Sequence, residues 1–531
     1  MSNQNNAVST NVAKNSHHLP VVVVMVPLPA QGHLNQLLHL SRLLSAFNIP
    51  VHFLGTATHN RQAQLRSGGE CSSHMIQFHD FDIPIIPSPS PNPNATHKFP
   101  SHLIPTFTAA AVHLRRPLAA FLRSLSSKVK RLVVIHDSLM SSAVQVVDTI
   151  FNVESYNFHS ISPFVVALQS LERKGIVIGH GCDHETMTFY EEYFLKKSNV
   201  RSLQRGFPAE ALEFMLSQLS QLPKRTAGKI YNTSRLIEGL SLKMIERVEH
   251  EFHHWALGPF NPVKNLKNGE KSSSNHACLS WLDRQEPRSV MYVSFGTTTA
   301  MDDKQIEEIS IGLARSHQKF IWVLRDADKG DIFHDINVKK FELEEGYKEL
   351  IGDRGLVIRE WAPQLEILNH WTIGGFMTHC GWNSCMESMT MGVPMATWPM
   401  HSDQPRNAVL MTKVLRVGLV VKEWERGEEV VVASTVEEAV KRLIVSKEGA
   451  EIRRNAERLG EALRRSLEDG GDSRRELEAF VTHITSLTVQ ITFDRCCHRC
   501  CLDLHRHLLL LVVGHSHGCS PVVFHRCVGI L

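Results

Sequence analysis

Apolar residues are distributed along the chain in two alternating patterns. Short unbroken runs rich in Val and Ile suit strands covered on both faces, and longer segments with apolar residues three and four apart suit helices. Val21 to Val26 is the first run, and Leu34 to Phe47 follows with helical spacing. Arg131 to Ile135 is another strand, and 151–229 reads as mostly helix and loop. A segment rich in Asn, Lys and Ser, 261–275, lacks periodicity and reads as a linker. Beyond Cys278 the alternation resumes. Strands are predicted at Ser289–Phe295, Phe320–Leu324, Leu356–Arg359, Gly374–Thr378, Val393–Trp398 and Val417–Val421. Helices are predicted at Asp302–Ala314, Asn383–Met391, Thr435–Ser446, Ala450–Glu468 and Arg474–Ile484. Strands alternating with helices on both sides of a linker predict an α/β chain with two parallel-sheet halves.

The chemistry-bearing residues fall where such sheets bind ligands, at the carboxyl ends of strands. His33 follows the first strand in Pro27-Leu-Pro-Ala-Gln-Gly-His, read as a loop in which Gly32 lets backbone approach a ligand. Asp137 follows the strand at 131–135. It suits either of two roles: orienting a histidine and stabilising its protonated form, or capping the segment that begins Ser-Leu-Met. Gly296 to Thr299 is a small-residue loop before a helix, and Thr297 with its neighbours either adds donors for a phosphate or only caps that helix. The densest stretch is Trp361 to Gln404. Its Thr-His-Cys-Gly-Trp-Asn-Ser turn lies at a strand-to-helix junction, where unpaired N–H groups and the helix dipole favour a diphosphate. His379, Asn383 and Ser384 can donate hydrogen bonds there, Glu387 can accept from ribose hydroxyls, and Asp403 with Gln404 suits a sugar.

Composition narrows the partners. The 531 residues carry 57 Lys and Arg against 54 Asp and Glu, so no overall field favours nucleic acid or an anionic membrane. The opening 17 residues are polar and no apolar run spans a bilayer, so a cytoplasmic chain is expected, without membrane or nucleic-acid partners. The sequons at Asn94 and Asn232 then carry no weight. Cys71, Cys182, Cys278, Cys380 and Cys385 are scattered, as in a reduced cytosolic enzyme. Six further cysteines, from Cys496 to Cys527, cluster with histidines in the tail. Their spacing is irregular for zinc, so the tail is read as an aberrant C-terminus rather than a metal module, and no metal is expected.

Position by position, the stretch Trp361 to Gln404 resembles the signature of plant family 1 UDP-glycosyltransferases: Trp-Ala-Pro-Gln, His-Cys-Gly-Trp-Asn-Ser, Glu, and a closing Asp-Gln. The resemblance implies the GT-B architecture, two doubly wound Rossmann-like domains facing across a cleft. It implies that Trp361 stacks under uracil, Ala362 gives backbone contacts to the base, and Gln364 and Glu387 hold the ribose. His379, Asn383 and Ser384 would hold the diphosphate, and Trp382, Asp403 and Gln404 would face the hexose. The Gln-Gly-His motif makes His33 the general base with Asp137 its partner, and a closing Gln goes with glucose, so UDP-glucose is the expected donor substrate, with no cofactor. Gly32-His-Leu-Asn-Gln-Leu-Leu, Phe99-Pro-Ser-His-Leu-Ile-Pro, His136-Asp-Ser-Leu-Met and Lys319-Phe-Ile-Trp-Val-Leu-Arg-Asp-Ala-Asp-Lys-Gly-Asp look like the zeatin O-glycosyltransferase branch.

The expectation is therefore an inverting transfer of glucose to the side-chain hydroxyl of a cytokinin by a monomer. The alternatives are UDP-xylose as donor, a phenolic or flavonoid acceptor, or a silent nucleotide-sugar or hormone binder. The implied domains are 20–260 for the acceptor, 278–470 for the donor, 261–277 joining them, and a helix at 471–487 returning to the first. Disordered or aberrant ends are expected at 1–19 and 488–531.

Overall fold

The computed structural model describes residues 19–66, 74–84, 89–95, 97–174, 184–195, 206–263, 276–333, 342–427 and 429–486. The Cys/His-rich tail, most of the expected linker and the first 18 residues lie outside them.

Two parallel sheets organise the described residues. The first holds β1 (Leu19–Val26), β2 (Val51–Thr56), β3 (Ile76–Phe81), β4 (Val129–Asp137), β5 (Val153–His159), β6 (Thr226–Tyr231) and β7 (His253–Ala256), in the order β3-β2-β1-β4-β5-β6-β7. The second holds β8 (Val290–Ser294), β9 (Lys319–Val323), β10 (Gly355–Ile358), β11 (Ile373–Thr378), β12 (Met395–Thr397) and β13 (Gly418–Val420), in the order β10-β9-β8-β11-β12-β13. In each sheet the chain winds outward in one direction and then, after a crossover, in the other. The switch points lie between β1 and β4 and between β8 and β11, where open α/β sheets leave a crevice.

Strand β1 explains why its sequence is unbroken valine. Val21, Val23 and Met25 enter one core with Leu34, Leu37 and Phe53, and Val22, Val24 and Val26 enter another with Leu103, Phe107 and Leu118. Both faces are buried, so alternation would leave polar groups without water. Strands β5 and β6 correct the reading of 151–229 as mostly helix and loop. Their sequences, VESYNFH and TAGKIY, carry Glu, Asn, His, Gly and Lys and so hide the apolar run. The two charged side chains there have partners: Lys229 Nζ lies 2.6 Å from Glu249, and Arg131 lies 2.6 Å from Glu154.

Helices named below are α1 (Gln31–Ser45), α2 (Ala57–Arg66), α3 (Ala209–Leu219), α4 (Trp382–Met391), α5 (Gln404–Val409) and α6 (Asp472–Thr485). The last of these packs on the first sheet. Leu477, Phe480 and Ile484 join the core of β1 and α1, and Glu476 accepts from the Ala256 N–H at 2.9 Å.

Candidate active site

His33 and Asp137 come together at the first switch point. Helix α1 begins at Gln31, so Gly32 and His33 occupy its first turn rather than a loop. Gly32 lines the cavity, and its carbonyl accepts from Asn383 Nδ2 at 2.8 Å. Asp137 is the last residue of β4 and fully buried. Its Oδ2 lies 2.6 Å from His33 Nδ1, and its Oδ1 accepts from the Leu139 N–H at 2.9 Å. The contacts that each reading of Asp137 requires are therefore both present, one for each oxygen. An ionised carboxylate only accepts, so Nδ1 carries the proton and Nε2 keeps its lone pair. Burial works to lower the His33 pKa, but the charge and hydrogen bond of Asp137, helped by Asp403, outweigh it and raise it above the ordinary 6.5.

The second switch point carries the signature turn. Cys380 takes a left-handed backbone, φ 65°, and the chain enters α4 through Gly381, with no side chain capping the helix. The first N–H groups of α4 thus face outward without an intrahelical partner. His379 stands beside them, wedged between two glycines. A Cβ on Gly296 or Gly381 would fall 2.6 or 2.5 Å from its Nε2. Its Nδ1 is buried with no hydrogen-bond partner, and burial lowers its pKa to about 4, keeping it neutral.

Next to it a small network is already assembled. Gln364 Nε2 donates to Glu387 Oε2 at 2.7 Å and to Ser384 Oγ at 3.1 Å, and Tyr292 donates to Gln364 Oε1 at 3.3 Å. Burial pushes the Glu387 carboxyl up to about 7, partly offset by the Gln364 bond.

His33 and every expected donor-site residue but one line a single cavity of about 350 Å³: Trp361, Ala362, Gln364, His379, Trp382, Asn383, Ser384, Glu387, Asp403 and Thr297. Asp137 stands behind His33. The exception is Gln404. Its Oε1 accepts from the backbone N–H groups of Met400 and His401, at 2.9 and 3.1 Å, so it closes its own loop instead of facing the cavity. Trp382 lines the cavity with its indole nitrogen already engaged. Its indole N–H donates across the domains to the Asn232 carbonyl at 2.9 Å, leaving ring edge and backbone for a ligand. The threonines do not cap the following helix. Asp302 does, accepting from the Gln305 N–H at 2.9 Å, while Thr299 bonds His401 at 3.1 Å.

Part of the remaining cavity wall is apolar. Phe99, Leu103 and Phe107 face Phe207 and, from α3, Phe214 and Met215. The aromatic and apolar residues of 151–229 read from sequence as able to line a pocket, and Phe207, Phe214 and Met215 do so, while Phe99 lies in a motif already singled out. Sequence reading missed His401, which lines the cavity beside Asp403. Among the described residues no group of three His, Cys, Asp or Glu is disposed to hold a metal ion, and no helix is long and apolar enough to cross a membrane.

Comparison with known proteins extends the geometry. Residues 19–262 match the family described as Glycosyltransferase, N-terminal domain, and residues 241–459 match UDP-glucoronosyl and UDP-glucosyl transferase. The chain is 51% identical over 469 residues to zeatin O-glucosyltransferase of Phaseolus lunatus, covering 88% of this chain and 98% of that protein. It is 50% identical over 465 residues to zeatin O-xylosyltransferase of Phaseolus vulgaris, with the same coverage of both. Among solved structures it is similar to Medicago truncatula UGT71G1 complexed with UDP-glucose, with a TM-score of 0.66, 25% identity, and 88% and 99% of the two chains covered.

Proposed function

The chain belongs to the UDP-glycosyltransferases, enzymes of GT-B fold that use UDP-sugar donors, and we propose that it moves glucose from UDP-glucose to the side-chain hydroxyl of zeatin, giving the O-β-glucoside. The observation that carries this reading is that the His33–Asp137 pair and the uncapped start of α4 meet at one cavity. In this reading residues 20–260 form the acceptor domain and 278–470 the donor domain, joined by 261–277, with 471–487 returning to the first. The enzyme acts as a monomer, since one chain contributes both halves of the cavity, and works in the cytoplasm, consistent with the free buried thiols of Cys278, Cys380 and Cys385.

The steps follow from the side chains. Nε2 of His33 takes the proton of the acceptor hydroxyl as that oxygen attacks the anomeric carbon from the face opposite UDP. The bond from that carbon to the diphosphate breaks, and UDP leaves with the electron pair. Developing charge on the diphosphate is met by the N–H groups of α4, His379, Asn383, Ser384 and Thr297. Asp137 stabilises the imidazolium on His33. Trp361 and Ala362 hold uracil, Gln364 and Glu387 the ribose, and Trp382 and Asp403 the hexose.

Two expected results test the donor half. Trp361→Ala should raise the Kd of UDP-glucose by about tenfold, the worth of one base–aromatic stack, as read by calorimetry. UDP-glucose affinity should also rise with pH through about 7, because ribose hydroxyls donate to the ionised form of Glu387 and so favour it. Glu387→Gln should flatten that profile, and an equally steep profile in the variant would remove Glu387 from the ribose.

The acceptor is tested by mass spectrometry of products from cis- and trans-zeatin, flavonoids and simple phenols, each with UDP-glucose or UDP-xylose. Hexose-adducted zeatin is the expected product, and a glucosylated phenol without zeatin product would replace the acceptor. The xylosyl reading is supported by the likeness to the Phaseolus vulgaris enzyme, and predominant pentose transfer would select it. A silent binding protein is disfavoured by the 2.6 Å pairing of His33 with Asp137.

A further inference from the structure

Two of the stretches singled out in the sequence, Phe99-Pro-Ser-His-Leu-Ile-Pro in the first half and the Arg325-Asp-Ala-Asp-Lys-Gly-Asp run in the second, meet across the cleft. His102 Nε2 lies 2.8 Å from the Asp328 carbonyl. The carboxylate of Asp328 receives Arg66, the last residue of α2, in a two-pronged pair of 2.5 and 2.9 Å, with the two side chains only 7% and 5% exposed. Arg325 adds a third bond to Asp328 at 2.6 Å.

This clasp is joined to both halves of the chemistry. The Arg66 guanidinium lies over the Trp361 ring, 4.4 Å from its centroid, and so covers one face of the indole. Arg66 also donates to Gln31 Oε1 at 2.8 Å, two residues before His33 in the first turn of α1. On the other side the Asp328 N–H donates to the Thr297 carbonyl at 2.6 Å. A continuous path thus runs from the helix that carries His33 to Trp361 and to the Thr297 loop. Buried bidentate pairs hold geometry tightly because loss of either partner leaves an uncompensated charge. Arginine is suited to such a place, since one planar group both forks onto a carboxylate and stacks on an aromatic face.

We infer that Arg66 and Asp328 are positioning residues for the donor: they fix the first domain over the nucleoside end of the site, hold Trp361 by one face so that the other receives uracil, and thereby register donor binding with His33. The inference rests on the proposed assignment of Trp361 to the uracil. It predicts a selective defect. Arg66→Met and Asp328→Asn should each raise the KM for UDP-glucose by about tenfold, in the usual range for coupling between sites. The zeatin KM should stay within about twofold, and kcat at saturating donor should fall less than kcat/KM for the donor. The two substitutions together should cost clearly less than the sum of the two alone, because they share the Arg66–Asp328 pair.

The experiment is steady-state kinetics on the full chain with varied UDP-glucose and with varied zeatin, alongside UDP-glucose calorimetry. Arg66→Lys, which keeps charge but not the fork or the stack, gives an intermediate donor KM and serves where Arg66→Met does not fold. An unchanged donor KM in Arg66→Met or Arg66→Lys overturns the inference. So does a loss spread equally over kcat and both KM values, or additivity in the double variant. Wild-type chain that binds no UDP-glucose overturns the donor assignment itself, whereas wild-type binding with an unaltered Arg66 variant overturns the clasp alone.

Discussion

Replacing His33 by Ala is expected to lower kcat for glucosyl transfer by about 10³-fold, within the range for loss of a positioned general base, while the Kd of UDP-glucose changes by less than about twofold. The reason is geometric. His33 lines the cavity with Nδ1 committed to Asp137, whereas the donor contacts of the proposed mechanism come from Trp361, Gln364, Glu387 and the start of α4, elsewhere on its wall. The substitution removes the proton acceptor and leaves the donor side intact. Stopped-time product assays with calorimetry on the same preparation check both halves. Transfer at the original rate would remove His33 from the mechanism, and lost donor binding would make it a structural residue.

Asp137→Asn is expected to cost about 10²- to 10⁴-fold in kcat, by the logic of an orienting carboxylate. Asparagine keeps an oxygen for the Leu139 N–H, so the cap and the local fold survive. Its NH₂ group would face His33 Nδ1, however, and force the proton onto Nε2, where the acceptor needs a lone pair. Asp137→Ala would lose the cap as well and add about 1 kcal/mol of destabilisation. The pH profile separates the two effects. In the wild type His33 must be neutral to act and its pKa is raised, so kcat/KM falls as pH drops through a value above 6.5. Without the carboxylate, burial is left as the main influence, and the acidic limb of the residual activity should move to lower pH. An unmoved limb would assign it to another group.

Much of this site was legible because its residues are local in sequence. Trp361 to Gln404 supplies a strand end, a turn and a helix start in one stretch, and His33 and Asp137 follow the two apolar runs most easily read as strands. What escaped depends on long-range packing. Strands β5 and β6 contain Glu154 and Lys229, whose partners lie on other elements, so their apolar pattern is broken in sequence and restored only in space. The tasks of Asp137 seemed exclusive because a sequence does not show that each carboxylate oxygen has its own partner. Gln404 read as a sugar ligand by its position, but the two N–H groups of Met400 and His401 claim its carbonyl. Arg66 carries no local signal, since its importance arises only where α2 meets Asp328 and Trp361.

The most direct measurement is the anomeric configuration of the product, read by proton NMR after the full chain is incubated with UDP-glucose and zeatin. A single displacement with His33 as base inverts the α-linked donor and gives only the β-glucoside. An α-glucoside, or no glucoside of zeatin while donor binding is intact, would contradict the account.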